Sequence, residues 1–265
     1  MYNPNLHFHF VGIGGTGMSG IAEILLNSGF KVSGSDLRGS TVVDRLIKLG
    51  AQIKLGHKAD NLPVDASLLV YSSAVSQDNP ELTEARQRQI PIVRRAEVLA
   101  ELMRLKYGVA VAGSHGKTTT TSLTAAILEA ANMDPTVIIG GQVKSHGSGG
   151  KLGKGDFLVA ESDESDRSFL LLKPTIAVIT NVDSEHMEAY ESFDDLVFSF
   201  EKFANSVPFY GLAVFCIDDE VTSRISANYQ GRKVSYGFSK AADLQAINLV
   251  QKNGCTNFTV VEKGK

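Results

Sequence analysis

The chain has 265 residues, a formal charge of −3, and is 43% hydrophobic and 21% charged, the make-up of a globular protein long enough for two domains. Slight acidity argues against a nucleic-acid binder, which would carry a basic stripe, and no apolar run approaches the roughly 20 residues that span a bilayer. Two widely spaced cysteines, Cys216 and Cys255, and an N-terminus without a basic-then-apolar leader are expected of buried free thiols in a reduced, cytoplasmic protein.

Leu6–Val11 reads as a short apolar strand, followed by helical periodicity over Met18–Asn27 that stops at Gly29. Lys31–Ser35 is a second strand, Thr41–Leu49 a helix closed by Gly50, and Ala66–Tyr71 a buried-type strand. Glu81–Arg88 and Ala96–Arg104 read as helices, and such alternation predicts a parallel sheet covered by helices. A second run opens with a strand at Tyr107–Ala112, a loop at Gly113–Gly116 and a helix at Lys117–Ala130. Strands at Thr136–Ile139, Phe157–Ala160 and Thr175–Thr180, a helix at Asp194–Ala204 and a strand at Leu212–Ile217 complete it. Between them, the glycine- and lysine-rich residues 140–156 suit a mobile loop. The tail pieces Lys233–Gly237, Leu244–Val250 and Asn257–Val261 suggest a small antiparallel sheet.

The predicted fold is therefore α/β. A Rossmann-like parallel-sheet domain over residues 1–106 precedes a P-loop-type α/β ATPase domain over 107–265, which ends in a small antiparallel β subdomain.

Two glycine turns carry the chemistry. In "HFHFVGIGGTGMSG", Gly12, Gly14 and Gly17 spell G-x-G-x-x-G after an apolar strand, and Asp36 follows at the distance of a ribose-binding acid. Alone, that pattern suggests a nicotinamide or flavin dinucleotide. "VAVAGSHGKTTTTSL" is more specific, running strand, glycine turn, Lys117, threonines and helix. Backbone N–H groups of Gly113, Ser114, His115 and Gly116 would cradle phosphate oxygens. Lys117 would reach the β- and γ-phosphates, and the Thr118 hydroxyl, followed by Thr119, would meet Mg²⁺. Position 111 is valine where the full Walker pattern needs glycine, so the loop is a shortened variant, and a GTPase or kinase of the ordinary P-loop type is disfavoured. Two further strand ends, "FLVAESDESD" and "TIAVITNVDSEHMEAY", bring Glu161, Asn181 and His186 to the edge where parallel sheets bind ligands.

At this point "AGSHGKTTTT", "AESDESDRSFLLLKP" and "ITNVDSEHMEAY" resemble the signatures of the Mur ligases, ATP-dependent amide-forming enzymes of bacterial peptidoglycan synthesis, cell shape and division. "VGIGGTGMSGIAE", "SGSD", "YSSAVSQDNPEL" and "RRAEVLAELM" are similar to the branch that joins L-alanine to the carboxylate of UDP-N-acetylmuramate through an acyl phosphate. The alternatives are a relative that adds a preformed tripeptide in murein recycling, and a non-catalytic sugar-nucleotide or NAD-binding module.

The resemblance implies that Lys117, Glu161 and His186 are catalytic, with Thr118, Glu161 and His186 as Mg²⁺ ligands. It implies that ATP meets Gly113–Thr119 and Asn181, and that UDP-N-acetylmuramate meets Gly12, Gly14, Gly15, Thr16, Gly17, Asp36, Ser72 and Ser73. His57, a lone histidine in a turn, reads as a weaker candidate. Some members use a carbamylated lysine; Lys202 lies in that region beside Glu201, and no such residue is assigned. The family has a third, C-terminal domain that is not visible here. The expectation is a truncated chain that binds the sugar nucleotide and ligates poorly or not at all, without nucleic-acid or membrane partners.

Overall fold

The computed structural model describes residues 5–143 and 148–264. Their contacts divide the chain into two compact units, one of residues up to 106 with 121–161, the other of 107–120 with 162 onward.

The first unit opens with β1 (His7–Val11), α1 (Thr16–Asn27), β2 (Lys31–Asp36), α2 (Thr41–Lys48) and β3 (Gln52–Leu55). It continues with β4 (Leu68–Tyr71), α3 (Pro80–Gln87), β5 (Ile92–Arg94) and α4 (Arg95–Met103). All pairings in this sheet are parallel, in the order β3-β2-β1-β4-β5. The chain winds outward to β3 and then returns to the other side of β1. The β1/β4 boundary is therefore a topological switch point, where α/β sheets open a crevice. Phe8, Phe10, Ile13, Ile21 and Leu25 are all buried, and Val11, Leu62, Leu69, Leu82 and Ala85 form one apolar cluster of the core. The sequence reading omits β3 and β5, four and three residues long at the sheet edges, because such short pieces leave little periodicity to detect.

The α5 helix (Lys117–Ala130) begins in the second unit and ends in the first. In the first unit it is followed by β7 (Thr136–Val143), β8 (Ser148–Lys151) and β9 (Phe157–Glu161). Residues 140–156 are thus not a loop throughout: β7 runs to Val143 and β8 pairs back on it antiparallel, while residues 144–147 lie outside the described residues. The glycines there serve close packing. A Cβ on Gly20 of α1 would sit 2.6 Å from the Gly149 carbonyl oxygen, and one on Gly150 2.4 Å from the Gly20 oxygen. Gly150→Ala is therefore expected to cost about 1–3 kcal/mol through forced separation of helix and strand. Gly39→Ala, where nothing lies within 4 Å of the new methyl group, is the control. Equal thermal midpoints for the two variants would contradict this packing role.

The second unit holds β6 (Tyr107–Ala112), β10 (Ile176–Ile179), α6 (Phe193–Ala204), β11 (Leu212–Cys216) and α7 (Glu220–Asn228). It ends with β12 (Lys233–Gly237), β13 (Leu244–Lys252) and β14 (Cys255–Glu262). The strand order is β14-β13-β12-β11-β10-β6. Only the last pairing is antiparallel, since β12 and β13 extend the parallel sheet before β14 folds back. Phe169, Phe200 and Phe203 are fully buried and pack ring against ring at 5.1–5.3 Å between centroids. Both cysteines are free, but neither is buried: Cys216 is half-buried and Cys255 exposed at the start of β14. Strand-like neighbours placed them in the sheet correctly, while the outer hairpin is wet on both faces.

Candidate functional site

The first glycine turn is pinned by its neighbours. Gly12, at φ +75°, and Ile13 both donate their N–H to the Ser35 carbonyl at the end of β2, at 2.8 and 3.0 Å. The helix that follows is entered through Gly15, whose N-cap position has no side-chain cap, and no acid occupies the first turn. A twelve-residue helix with unsatisfied N–H groups and a positive dipole end is suited to an anion. A cleft of about 780 Å³ opens there, lined by Gly12, Gly14, Gly15, Asp36, Arg38, His57 and Ser72 among others.

Of the predicted sugar-nucleotide residues, the structure thus brings Gly12, Gly14, Gly15, Asp36 and Ser72 together, whereas Ser73 and Gly17 are not among the lining residues. The Thr16 side chain lies outside those described. Asp36 takes up the glycine turn itself: Oδ2 accepts from Gly14 N at 2.8 Å and Oδ1 from Arg38 N at 3.2 Å. Gly17 is covered by Arg95 at the start of α4, whose Nη1 would lie 2.4 Å from a Cβ placed there. That guanidinium puts a second positive pole beside the α1 N-terminus, and the sequence reading missed it.

Behind the cleft runs a buried polar chain. Glu81, in the first turn of α3, is fully buried; His9 Nε2 donates to its Oε2 at 2.7 Å, and His57 Nδ1 lies 3.0 Å from its Oε1. His9 Nδ1 and His7 Nε2 each lie 2.8 Å from the Ser33 hydroxyl, and His7 Nδ1 is 3.1 Å from Asp65. His57 Nδ1 is also 2.9 Å from the Ser35 hydroxyl. Burial alone would push the Glu81 carboxyl up, but hydrogen bonds from His9, Ser35 and His57 outweigh it and hold it below the usual carboxylate range. Burial pulls His7 below the usual histidine range, against the pull of Asp65. His57 is thus neither lone nor merely solvated, a correction to its sequence-based rank.

The second glycine turn is stitched to the end of β10. Ser114 N donates to the Asn181 carbonyl at 3.1 Å, and the Ser114 hydroxyl accepts from Asp183 N at 2.8 Å. The Asn181 side chain accepts from His115 N at 2.8 Å and donates to the His115 carbonyl at 3.1 Å. Thr180 Oγ1 donates to that same carbonyl at 2.7 Å. Asn181 therefore clamps the loop backbone in this structure.

Lys117 opens α5, and its ammonium donates to Gly113 O at 2.6 Å, Ser114 O at 3.1 Å and Glu164 Oε1 at 2.7 Å, using all three of its donors. Glu164 is 1% exposed, and its other oxygen is buried without a hydrogen-bond partner. Burial pushes its carboxyl up, with Lys117 pulling the other way. Tyr190 fixes the Glu164 backbone by donating to its carbonyl at 2.6 Å. Arg167, at φ +62°, lies 5.0 Å over the Tyr190 ring and grips both Asp195 oxygens at 2.6 and 3.0 Å. The acidic run after β9 thus supplies the partner of the loop lysine, a role the sequence reading did not assign.

The remaining predicted residues are more open. His186 has φ +55° and lies half-exposed, 3.8 Å from Glu188. In the first unit Glu161 Oε2 accepts from Gly140 N at 2.5 Å. Lys202 rests its ammonium 4.3 Å over the Phe198 ring. No group of three or more His, Cys, Asp or Glu side chains gathers as a metal site among the described residues. Mg²⁺ asks for less than that, since it binds through one or two carboxylates, phosphate oxygens and water. The oxygen donors of Thr118 and Glu161 are of the right kind; the imidazole of His186 is not a hard-oxygen ligand.

Comparison with known proteins divides the chain once, between residues 107 and 111. Residues 7–107 match the Mur ligase family, catalytic domain, and residues 111–265 match the Mur ligase middle domain. The chain is 53% identical, over its whole length, to UDP-N-acetylmuramate–L-alanine ligases of Pelobacter propionicus and Geobacter sp. strain M21, but spans only 57% of each. Among solved structures it resembles UDP-N-acetylmuramate–alanine ligase of Thermotoga maritima, at TM-score 0.86 and 33% identity, over 98% of this chain and 59% of that one. It also resembles the UDP-N-acetylmuramate:L-alanyl-gamma-D-glutamyl-meso-diaminopimelate ligase of Neisseria meningitides, at TM-score 0.87 and 26% identity, over 98% of this chain and 85% of that one. With two glycine turns in successive α/β folds and a family match across most of its length, the chain belongs to the Mur ligase family.

Proposed function

We propose that this chain supplies the sugar-nucleotide-binding and ATP-binding parts of an enzyme that joins L-alanine to UDP-N-acetylmuramate. The functional division falls at residues 106 and 107. The observation that carries the reading is the pairing of an uncapped helix entrance in a 780 Å³ cleft with a second glycine turn whose lysine is braced by a buried acid. One accepts a diphosphate; the other is built for phosphoryl transfer. The 53% identity to alanine-adding ligases favours that branch over the tripeptide-adding one.

In the reaction, the γ-phosphoryl group of ATP passes to the carboxylate of the sugar nucleotide, giving an acyl phosphate. The alanine amine attacks, and the tetrahedral intermediate collapses to amide and phosphate. The protein's work is positioning and charge neutralisation. Lys117 exchanges its contacts with the Gly113 and Ser114 carbonyls for phosphate oxygens, and Glu164 keeps the ammonium in place during the exchange. Asn181 holds the loop backbone and already takes up the Ser114 and His115 N–H groups, so the phosphates meet the loop's other N–H groups together with Lys117. Mg²⁺ supplies charge neutralisation when bound, and Thr118 and Glu161 would hold it; the family pattern adds His186. The α1 entrance, with Arg95 beside it, receives the UDP diphosphate, and Asp36 shifts from Gly14 N to the ribose hydroxyls. Such a reaction belongs in the cytoplasm, and no described helix is long and apolar enough to cross a membrane.

Titration of the 265-residue chain with UDP-N-acetylmuramate and with NADH, followed by calorimetry, tests this. Saturable binding of the sugar nucleotide, undisturbed by NADH, is expected. Tight NADH binding that displaces it would return the cleft to dinucleotide chemistry.

A further inference from the structure

The cleft contains a histidine whose surroundings determine what it can do. His57 is 15% exposed and lines the cleft. Its Nδ1 faces the buried side, within hydrogen-bond reach of Ser35 Oγ and Glu81 Oε1. Glu81 is fully buried and also receives His9 Nε2. Nδ1 and Nε2 lie on opposite edges of an imidazole, so the edge left to the cleft is Nε2, which has no hydrogen-bond partner among the described residues.

With Glu81 ionised, the neutral ring keeps its proton on Nδ1 and presents a bare lone pair at Nε2. A lone pair repels a phosphate oxygen. The protonated ring instead donates from both edges, with the Glu81 carboxylate on one side and the ligand's negative charge on the other.

We propose that His57, braced by Glu81, takes up one proton when a nucleotide diphosphate enters the cleft and then donates from Nε2 to a phosphate oxygen. This rests on the sugar-nucleotide reading of the cleft. The proton comes from solvent onto Nε2, and no covalent bond of the ligand changes. The charged groups around the ring are mostly acidic. Glu81 faces it from α3, with His9 of β1 on Glu81's far oxygen. Asp36 lines the cleft from the end of β2, and Asp78 does so just before α3. Arg38 opposes them from the loop after β2. Glu81 is a positioning residue here: it fixes the tautomer through His57 Nδ1 without touching the ligand.

The test uses UDP-N-acetylmuramate, because both of its phosphates are esterified and keep constant charge between pH 6 and 8.5. Affinity of the 265-residue chain is expected to fall severalfold as pH rises from 6.5 to 8. Calorimetry in buffers of different ionisation enthalpy should show up to one proton taken up per ligand at pH 7.5. His57→Gln is expected to bind more weakly, with a flat pH profile and no buffer dependence. Glu81→Gln should lose most of the uptake with His57 intact; should that variant fail to fold, His57→Gln decides alone. A pH-flat wild type, or a His57→Gln variant with the wild-type slope, overturns the proposal. Absence of any wild-type binding is a different result, visible before a variant is made: it defeats the sugar-nucleotide reading and this proposal with it.

Discussion

Glu81→Ala is expected to lower the unfolding free energy by about 3–5 kcal/mol, the cost of removing one partner from a buried ionic network. His9, fully buried, would keep its Nε2–H facing a cavity, and His57 would lose its brace on the cleft wall. The cap of α3, where Asn79 Oδ1 accepts from the backbone N–H of residue 81, survives the change, so the loss is chargeable to the carboxylate. Glu101→Ala is the contrast. Glu101 pairs with Arg104 at 3.1 Å, but both side chains are more than half exposed, and such pairs contribute about 0–1 kcal/mol. Urea midpoints with unchanged slopes measure both variants. A Glu81→Ala loss under about 1 kcal/mol would mean that the network is not energetically coupled.

The same network sets the acid limb of stability. His7 is held below its unfolded pKa of about 6.5 by burial, so the unfolded chain binds the proton more readily and stability falls as pH drops below that value. Glu81 is held below its unfolded value, so its contribution is complete above the ordinary carboxylate range. It is lost as pH falls through the lower folded value. Urea midpoints should therefore decline from pH 7 toward 5 and then more steeply below 4; a midpoint that rises on acidification contradicts the assignment.

Local signals carried much of the architecture. Tyr107–Ala112 and Lys117–Ala130 have the same bounds in sequence and structure, because an apolar run, a glycine turn and a threonine-rich helix start leave few alternatives. What the sequence could not reveal were partners far apart along the chain. Lys117 and Glu164 are 47 residues apart, and His9 and Glu81 are 72 apart. Nothing in the spacing selects Glu164 over Asp163 or Asp166; the choice is made where the backbone, held by the Tyr190 hydroxyl at the Glu164 carbonyl, buries that side chain. Asn181 illustrates a subtler gap. Its residue type and strand-end position mark it for the loop, but only the geometry reveals an amide bonded both ways to the His115 backbone. Residues 140–156 failed for a different reason: glycine is favoured both by mobile loops and by backbones in contact, and composition does not separate the two.

Gly113→Ala is expected to disable the second loop, at a cost of about 2–6 kcal/mol. Two independent terms add. Gly113 sits at φ +139°, a conformation an L side chain reaches with about 1–3 kcal/mol of strain. A Cβ there would lie 2.0 Å from Thr180 Oγ1 and 3.0 Å from the Asn181 carbonyl oxygen, an overlap worth a further 1–3 kcal/mol or so. Thr180 cannot yield freely, since its hydroxyl donates to His115 O at 2.7 Å. Gly116→Ala separates the terms: φ is +78°, but nothing lies within 4 Å of the added methyl group, so only the conformational cost of about 1–2 kcal/mol remains. If the Gly113→Ala loop shifts instead of straining, the Gly113 carbonyl moves off Lys117, which it now meets at 2.6 Å, and the loss appears as weaker binding of a fluorescent ATP analogue. Stability and affinity must therefore be measured together. A Gly113→Ala chain that matches Gly116→Ala in urea midpoint and the wild type in ATP affinity would show that the tight seat against Thr180 is not what shapes the phosphate loop.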